Sequence, residues 1–176
     1  SKRMIAERAV QPNRFALLSP KKNYFLPATH TSRINRDAYK FAGEPFSDDL
    51  KQIEAKIQLS LKIPLNSNDL FIKNDGLYFG FTMNSWWQVY ASDISSPFRE
   101  TNYQPELFYM AGLKWNPLDA NTGFKVGVEH QSNGRSQALS RSWNRVYTAF
   151  LFEKDDFAFS FRPWYRIKED EKDYPY

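Results

Sequence analysis

The segment Glu54-Ala55-Lys56-Ile57-Gln58-Leu59-Ser60-Leu61-Lys62-Ile63 puts Ala55, Ile57, Leu59, Leu61 and Ile63 on one side of an extended chain and Lys56, Gln58, Ser60 and Lys62 on the other. Successive strand side chains point to opposite faces, so this unbroken period of two predicts a β-strand. The pattern recurs downstream, where Leu77, Phe79, Phe81, Met83, Trp87 and Val89 oppose Tyr78, Gly80, Thr82, Asn84, Trp86, Gln88 and Tyr90. Further strands are expected at about Pro105 to Trp115, Phe124 to Gln131, Ser142 to Glu153 and Phe157 to Ile167, with Asp155-Asp156 as the tight turn before the last. Residues 1 to 50 carry Pro12, Pro20, Pro27 and Pro45 among polar residues, which predicts an irregular lead-in and one short strand near Tyr24 to His30. Helix signals are nearly absent, so the fold class is all-β, an antiparallel meander.

Composition narrows the chemistry. The 176 residues are 41% hydrophobic and 17% aromatic, too apolar for a disordered chain. Cysteine is absent, which removes thiol catalysis, thiolate metal sites and disulfides, and two histidines, His30 and His130, cannot make a three-His zinc site. No apolar run reaches the length of a membrane helix. The net charge of +4 comes from basic residues scattered singly among acids, a distribution that argues against nucleic acid as a partner. Ser1 opens no leader pattern, so the start decides no compartment.

Two architectures produce such alternation, and they invert inside and outside. A soluble barrel of the lipocalin kind hides its apolar face, whereas an outer-membrane barrel turns it to lipid. The polar face here holds Lys56, Lys62, Arg145, Arg162 and Arg166 beside Trp86, Tyr90 and Trp164, which suits a filled polar lumen better than a water-facing wall. Several strands also reach the length that a tilted membrane strand requires. The reading is therefore an up-and-down transmembrane β-barrel with its lumen cations paired to acids such as Glu129 and Glu153, and with Trp86, Trp87, Trp115, Trp143 and Trp164 mostly in aromatic girdles. Seven strands fall short of the usual closed minimum, so the chain reads as part of a barrel.

One expected strand ends in Glu129-His130-Gln131-Ser132-Asn133-Gly134-Arg135-Ser136, and the next opens with Ser140-Arg141-Ser142-Trp143-Asn144-Arg145. His130 and Ser132 share a face about 6.5 Å apart along an extended backbone. A closing hairpin brings Asn144 beside them, on the lipid-facing side. A hydroxyl, a base and a group that fixes the base's tautomer are what nucleophilic hydrolysis needs. On spacing alone the same residues describe an interfacial histidine next to a polar loop, because His-x-Ser is a weak motif.

The longer strings carry more. His130-Gln131-Ser132-Asn133-Gly134-Arg135-Ser136, Ser140-Arg141-Ser142-Trp143-Asn144-Arg145, Ser85-Trp86-Trp87-Gln88 and Ser95-Ser96-Pro97-Phe98-Arg99-Glu100-Thr101-Asn102-Tyr103 closely resemble the outer membrane phospholipase A family, with weaker similarity from about Asn23 to Tyr165. The resemblance implies a twelve-stranded barrel, of which this chain holds an N-terminal lead-in over 1–22 and, over 23–176, about seven strands with a catalytic hairpin at 123–153. It implies a calcium-dependent phospholipase A1/A2 that hydrolyses phospholipid acyl esters at the cell-surface side of the bacterial outer membrane. Ser132 would be the nucleophile, His130 the general base, Asn144 the orienting residue and Gly134 the oxyanion donor. Ca2+ would sit near the Arg135 carbonyl and the Ser140 hydroxyl, with Ser95 contributed by the second subunit of a homodimer. Met83 departs from the glutamine that relatives use across that dimer, which bears on how strongly two copies associate. A non-enzymatic barrel, porin-like or lipid-binding, is the alternative.

Overall fold

The computed structural model describes residues 20–42, 46–135 and 140–168. Nearly all of the lead-in expected over 1–22 lies outside them. The described strands are β1 Tyr24–His30, β2 Ile53–Pro64, β3 Gly76–Trp87, β4 Phe98–Leu113, β5 Asn121–Ser132, β6 Ser142–Lys154, β7 Phe157–Phe161 and β8 Trp164–Ile167. They make one antiparallel sheet in chain order, with both β7 and β8 against β6. The expected meander is what forms, curled into a partial barrel.

Burial resolves which face is inside. Leu59 and Phe150, on the apolar side of β2 and β6, are 53% and 44% exposed, whereas Lys62, Glu106 and Glu129, on the opposite side, are only 4%, 2% and 4% exposed. A barrel in water would reverse this. The lumen is packed around Tyr78, Phe108, Met110 and Tyr147, with Tyr78 and Phe108 stacked at 5.3 Å between ring centres. Lys125 lies over the Phe108 ring at 3.6 Å and pairs with Glu106 at 2.9 Å, and the Tyr147 hydroxyl donates to the same carboxylate at 2.5 Å. Arg162 reaches Glu129 at 2.8 Å, and Lys21 lies 3.6 Å from the same oxygen. Each of these inward charges thus meets an opposite charge or a ring, as burial of charge demands. Gly127 makes room for this packing, because a Cβ there would lie 2.7 Å from that of Phe108 and 2.6 Å from the Leu107 carbonyl oxygen.

Four expectations change. β4 begins at Phe98, not Pro105, because a proline is tolerated inside this strand: the β4–β5 ladder runs Tyr103↔Ser132 and then Glu106↔Glu129, and skips the step that holds Pro105, which has no N–H to donate. The last strand is split at Arg162-Pro163 into β7 and β8, in one continuous register along β6, with Thr148 N–H donating to the Pro163 carbonyl at the gap. Glu153 holds no ion pair among the described residues; Glu54, Glu100 and Glu106 join Glu129 as the acids that bind inward cations. Trp143 leaves the expected girdle and joins Trp86 and Trp164, expected on the polar face, on the lumen side, where a cation holds each ring: Lys56 lies over Trp86 at 5.0 Å, and Arg145 lies 3.5 Å from the Trp143 ring centre and 4.0 Å from that of Trp164.

Because every connection is a hairpin, loops alternate between rims. Loops 31–52, 88–97 and 133–141 share one rim, and 65–75, 114–120 and 155–156 the other. On the first rim the described residues of the 31–52 loop pack against β4, with the Tyr39 hydroxyl donating to Glu100 at 3.5 Å. Arg36 donates to the carbonyls of Ser47, Asp48 and Leu50 at 2.7, 2.7 and 2.8 Å, and Tyr39 and Leu50 are buried.

Candidate active site

The β5–β6 register sets His130 opposite Asn144 and Ser132 opposite Ser142. All four lie on the outward, lipid-facing parity shared with Val126, Val128 and Val146, at the end of the hairpin nearest the first rim. Their side chains are neither buried nor fully exposed. His130 Nδ1 lies 2.8 Å from Asn144 Oδ1. An amide oxygen only accepts, so Nδ1 carries the proton and Nε2 is left as the acceptor. Ser132 stands on the same face two residues on, but no hydrogen bond joins its hydroxyl to His130 among the described residues; catalytic contacts of this kind often close only once substrate is bound.

The next residues turn sharply. Gly134 has φ +63°, a left-handed conformation that favours glycine, and a Cβ there would press to 3.1 Å on the Tyr103 ring. Asn133 is buried, and its Oδ1 accepts from the backbone N–H of Arg135 at 3.3 Å and of Arg141 at 3.0 Å, while its own N–H donates to the Arg141 carbonyl at 3.1 Å. Arg135 donates from Nη2 to the Arg99 carbonyl at 2.9 Å, which fixes it to the start of β4. Arg141 reaches Glu100 at 2.8 Å. Behind these, Arg99 forks onto Glu54 at 2.6 and 2.9 Å and donates to the Tyr39 hydroxyl at 3.1 Å. Gln88 also donates to Glu54, at 2.8 Å.

Ser95 caps a short 3₁₀ turn, Ser92–Ile94, on the 88–97 loop, with φ 62°. It shares the rim with Arg135 and Ser140, but among the described residues no hydrogen bond links it to the hairpin. Among the described residues no three His, Cys, Asp or Glu side chains gather into a metal cluster. The Arg135 carbonyl and the Ser140 hydroxyl are hard oxygen donors of the kind calcium accepts, two of the six to eight it takes, and the Glu100 carboxylate on the same rim is held by Arg141.

The structure thus brings His130 and Asn144 into contact, keeps Ser132 and Gly134 beside them, and leaves Ser95 on a neighbouring loop. Sequence reasoning missed Asn133, Arg99, Glu100, Glu54 and Tyr39. They come from separate segments of the sequence, and no spacing rule pairs Glu54 with Arg99. It also missed Pro105 and Tyr103, the β4 residues flanking the site. Tyr103 pairs with Ser132, and the register places Pro105 across from His130. The Pro105 gap was the one signal in reach, since a proline must loosen whatever ladder it joins.

Residues 1–175 match the family model described as Phospholipase A1. The chain belongs to the phospholipase A1 family. It is 39% identical over 162 residues to Phospholipase A1 of Escherichia coli (strain K12), covering 88% of this chain and 53% of that protein. Phospholipase A1 of Klebsiella pneumoniae is 36% identical over 158 residues, covering 86% and 52%. Among solved structures, the calcium-bound dimer of Salmonella typhi outer membrane phospholipase superposes with a TM-score of 0.79 at 36% identity, over 96% of this chain and 64% of that one. Outer membrane phospholipase A from E. coli gives 0.84 at 34% identity, with the same coverage. The chain spans about half the length of the curated relatives it matches.

Proposed function

We propose that this chain carries the catalytic part of a calcium-dependent phospholipase A of the bacterial outer membrane, acting on acyl esters of phospholipids at the cell-surface side. The observation that carries the reading is the 2.8 Å contact between His130 and Asn144 on the lipid-facing wall, with Ser132 on the same face. One relative adds support: an E. coli outer membrane phospholipase A structure carries an asparagine-to-alanine active-site mutation.

In this mechanism the Asn144 oxygen holds Nδ1–H of His130, so Nε2 takes the Ser132 proton as Oγ forms a bond to the ester carbonyl carbon. The negative oxygen that develops faces the Gly134 amide, which the left-handed turn presents. The carbonyl re-forms as the bond to the leaving alkoxide breaks, and His130 returns the proton to it, releasing a lysophospholipid. A water molecule then gives a proton to Nε2 and its oxygen to the acyl carbon, the acyl–Oγ bond breaks, and His130 returns the proton to Oγ, freeing the fatty acid and Ser132. Calcium, when bound, supplies positive charge near the oxyanion; the Arg135 carbonyl and the Ser140 hydroxyl would hold it, with Ser95 of a second copy adding to a set that one chain cannot complete. A homodimer is therefore the assembly proposed for activity.

Ser132→Ala in the full-length protein tests the reading. Ester hydrolysis and labelling by a serine-reactive phosphonate should both disappear while heat-modifiable barrel migration on gels persists, because one hydroxyl carries the covalent step and little stability. Turnover within about threefold of the parent would sink it in favour of a non-enzymatic barrel.

A further inference from the structure

We infer that Asn133 is a positioning residue that sets the calcium-binding competence of the hairpin, an inference that rests on the function proposed above. Two residues named there as metal ligands, Arg135 and Ser140, sit at opposite ends of the 133–141 connection. The Ser132↔Ser142 pair brings the two ends of the connection together, and beyond that pair Asn133 is the residue that bonds both ends. Its single buried oxygen accepts N–H groups from both ends, at Arg135 and at Arg141, and its backbone N–H closes a third bond to the Arg141 carbonyl.

These bonds act at the ligands themselves. The Arg135 N–H and its carbonyl belong to one residue, so tying the first limits where the second can aim. Ser140 is the neighbour of Arg141, so anchoring the Arg141 amide, which is the peptide link to Ser140, places the start of β6 and the hydroxyl just before it. Arg135 is fixed a second time through Nη2 on the Arg99 carbonyl. A calcium site made of neutral oxygens lacks the charge that lets a carboxylate cluster bind despite loose geometry, so its affinity depends on donors held ready. Asn133 also lies between Ser132 and Gly134, so the same clasp sets the turn that aims the oxyanion amide.

The test uses the full-length protein in detergent, with Asn133→Leu, which keeps bulk but loses the acceptor, and Asn133→Asp, which keeps it. Amide exchange at Arg135 and Arg141, read by NMR on selectively arginine-labelled protein without calcium, should speed up about tenfold or more in the leucine variant and return toward the parent in the aspartate variant. Calcium titration by calorimetry should give an affinity about tenfold weaker for Asn133→Leu, with kcat falling more than KM changes. Calcium affinity of the leucine variant within about threefold of the parent, or equal loss of amide protection in both variants, would overturn the inference. A parent protein that binds no calcium, or a Ser132→Ala variant that still turns over, would overturn the proposed function beneath it, a failure the leucine and aspartate comparison cannot mimic.

Discussion

At the scale of single residues, the proposed site depends on one neutral partner. Asn144 fixes the His130 ring through an oxygen that accepts but carries no charge. Replacing it by aspartate preserves the acceptor and adds a negative charge, which favours the protonated imidazole. Asn144→Asp should therefore shift the acid limb of the kcat/KM profile to higher pH, since a protonated ring cannot accept the Ser132 proton; an unmoved limb would remove His130 as the base. The residues of the proposed triad were legible in the sequence because a strand's period of two and one hairpin bring them together. The polar residues that brace them were not. Glu54, Arg99 and Tyr39 meet across three separate segments, and only the three-dimensional register relates them.

Among elements, the loop between β2 and β3 shows how a turn far from the site is held. The Asp75 carboxylate accepts N–H groups from Leu70, Phe71 and Ile72 at 2.7, 2.7 and 3.0 Å and the Tyr109 hydroxyl at 2.6 Å. Burial alone would raise its pKa, but the Tyr109 hydroxyl and these three amides outweigh it and hold the carboxyl well below the usual range. A depressed carboxylate stabilises the fold above its ordinary titration range and loses that contribution as pH falls toward its native pKa. Asp75→Asn should therefore lower the thermal midpoint at neutral pH, and the gap from the parent should narrow only in strong acid. A gap that instead widens on acidification, followed by differential scanning calorimetry, would refute this account. Strand positions were readable wherever alternation ran uninterrupted. They were misread at Pro105 and Pro163, where a lost donor breaks one ladder step without ending the strand, because the neighbouring pairs keep the register.

For the whole molecule, inside and outside were legible from which side chains share a face with lysine and arginine. The faces of Trp86 and Trp164 were legible too, but the cation over each tryptophan ring was not, because period two assigns a face without showing what waits above it. Among the described residues the sheet has two edges, β1 on one side and β7 with β8 on the other, and unpaired edge amides are not tolerated in hydrocarbon. Residues 1–176 expressed alone should consequently fail to give the heat-modifiable, protease-resistant band of a closed barrel in lipid vesicles, whereas the full-length protein should give it; a resistant band from the short chain would contradict the open sheet. The proposed reactive wall has a kinetic consequence of its own. His130 and Asn144 face outward among valines, so under the proposed function an ester reaches them by lateral diffusion without leaving the bilayer. The relevant substrate concentration is then a mole fraction within a plane. Adding inert amphiphile at constant total phospholipid should slow turnover in proportion to surface dilution, while adding more vesicles of fixed composition to protein already embedded should leave the rate per enzyme unchanged.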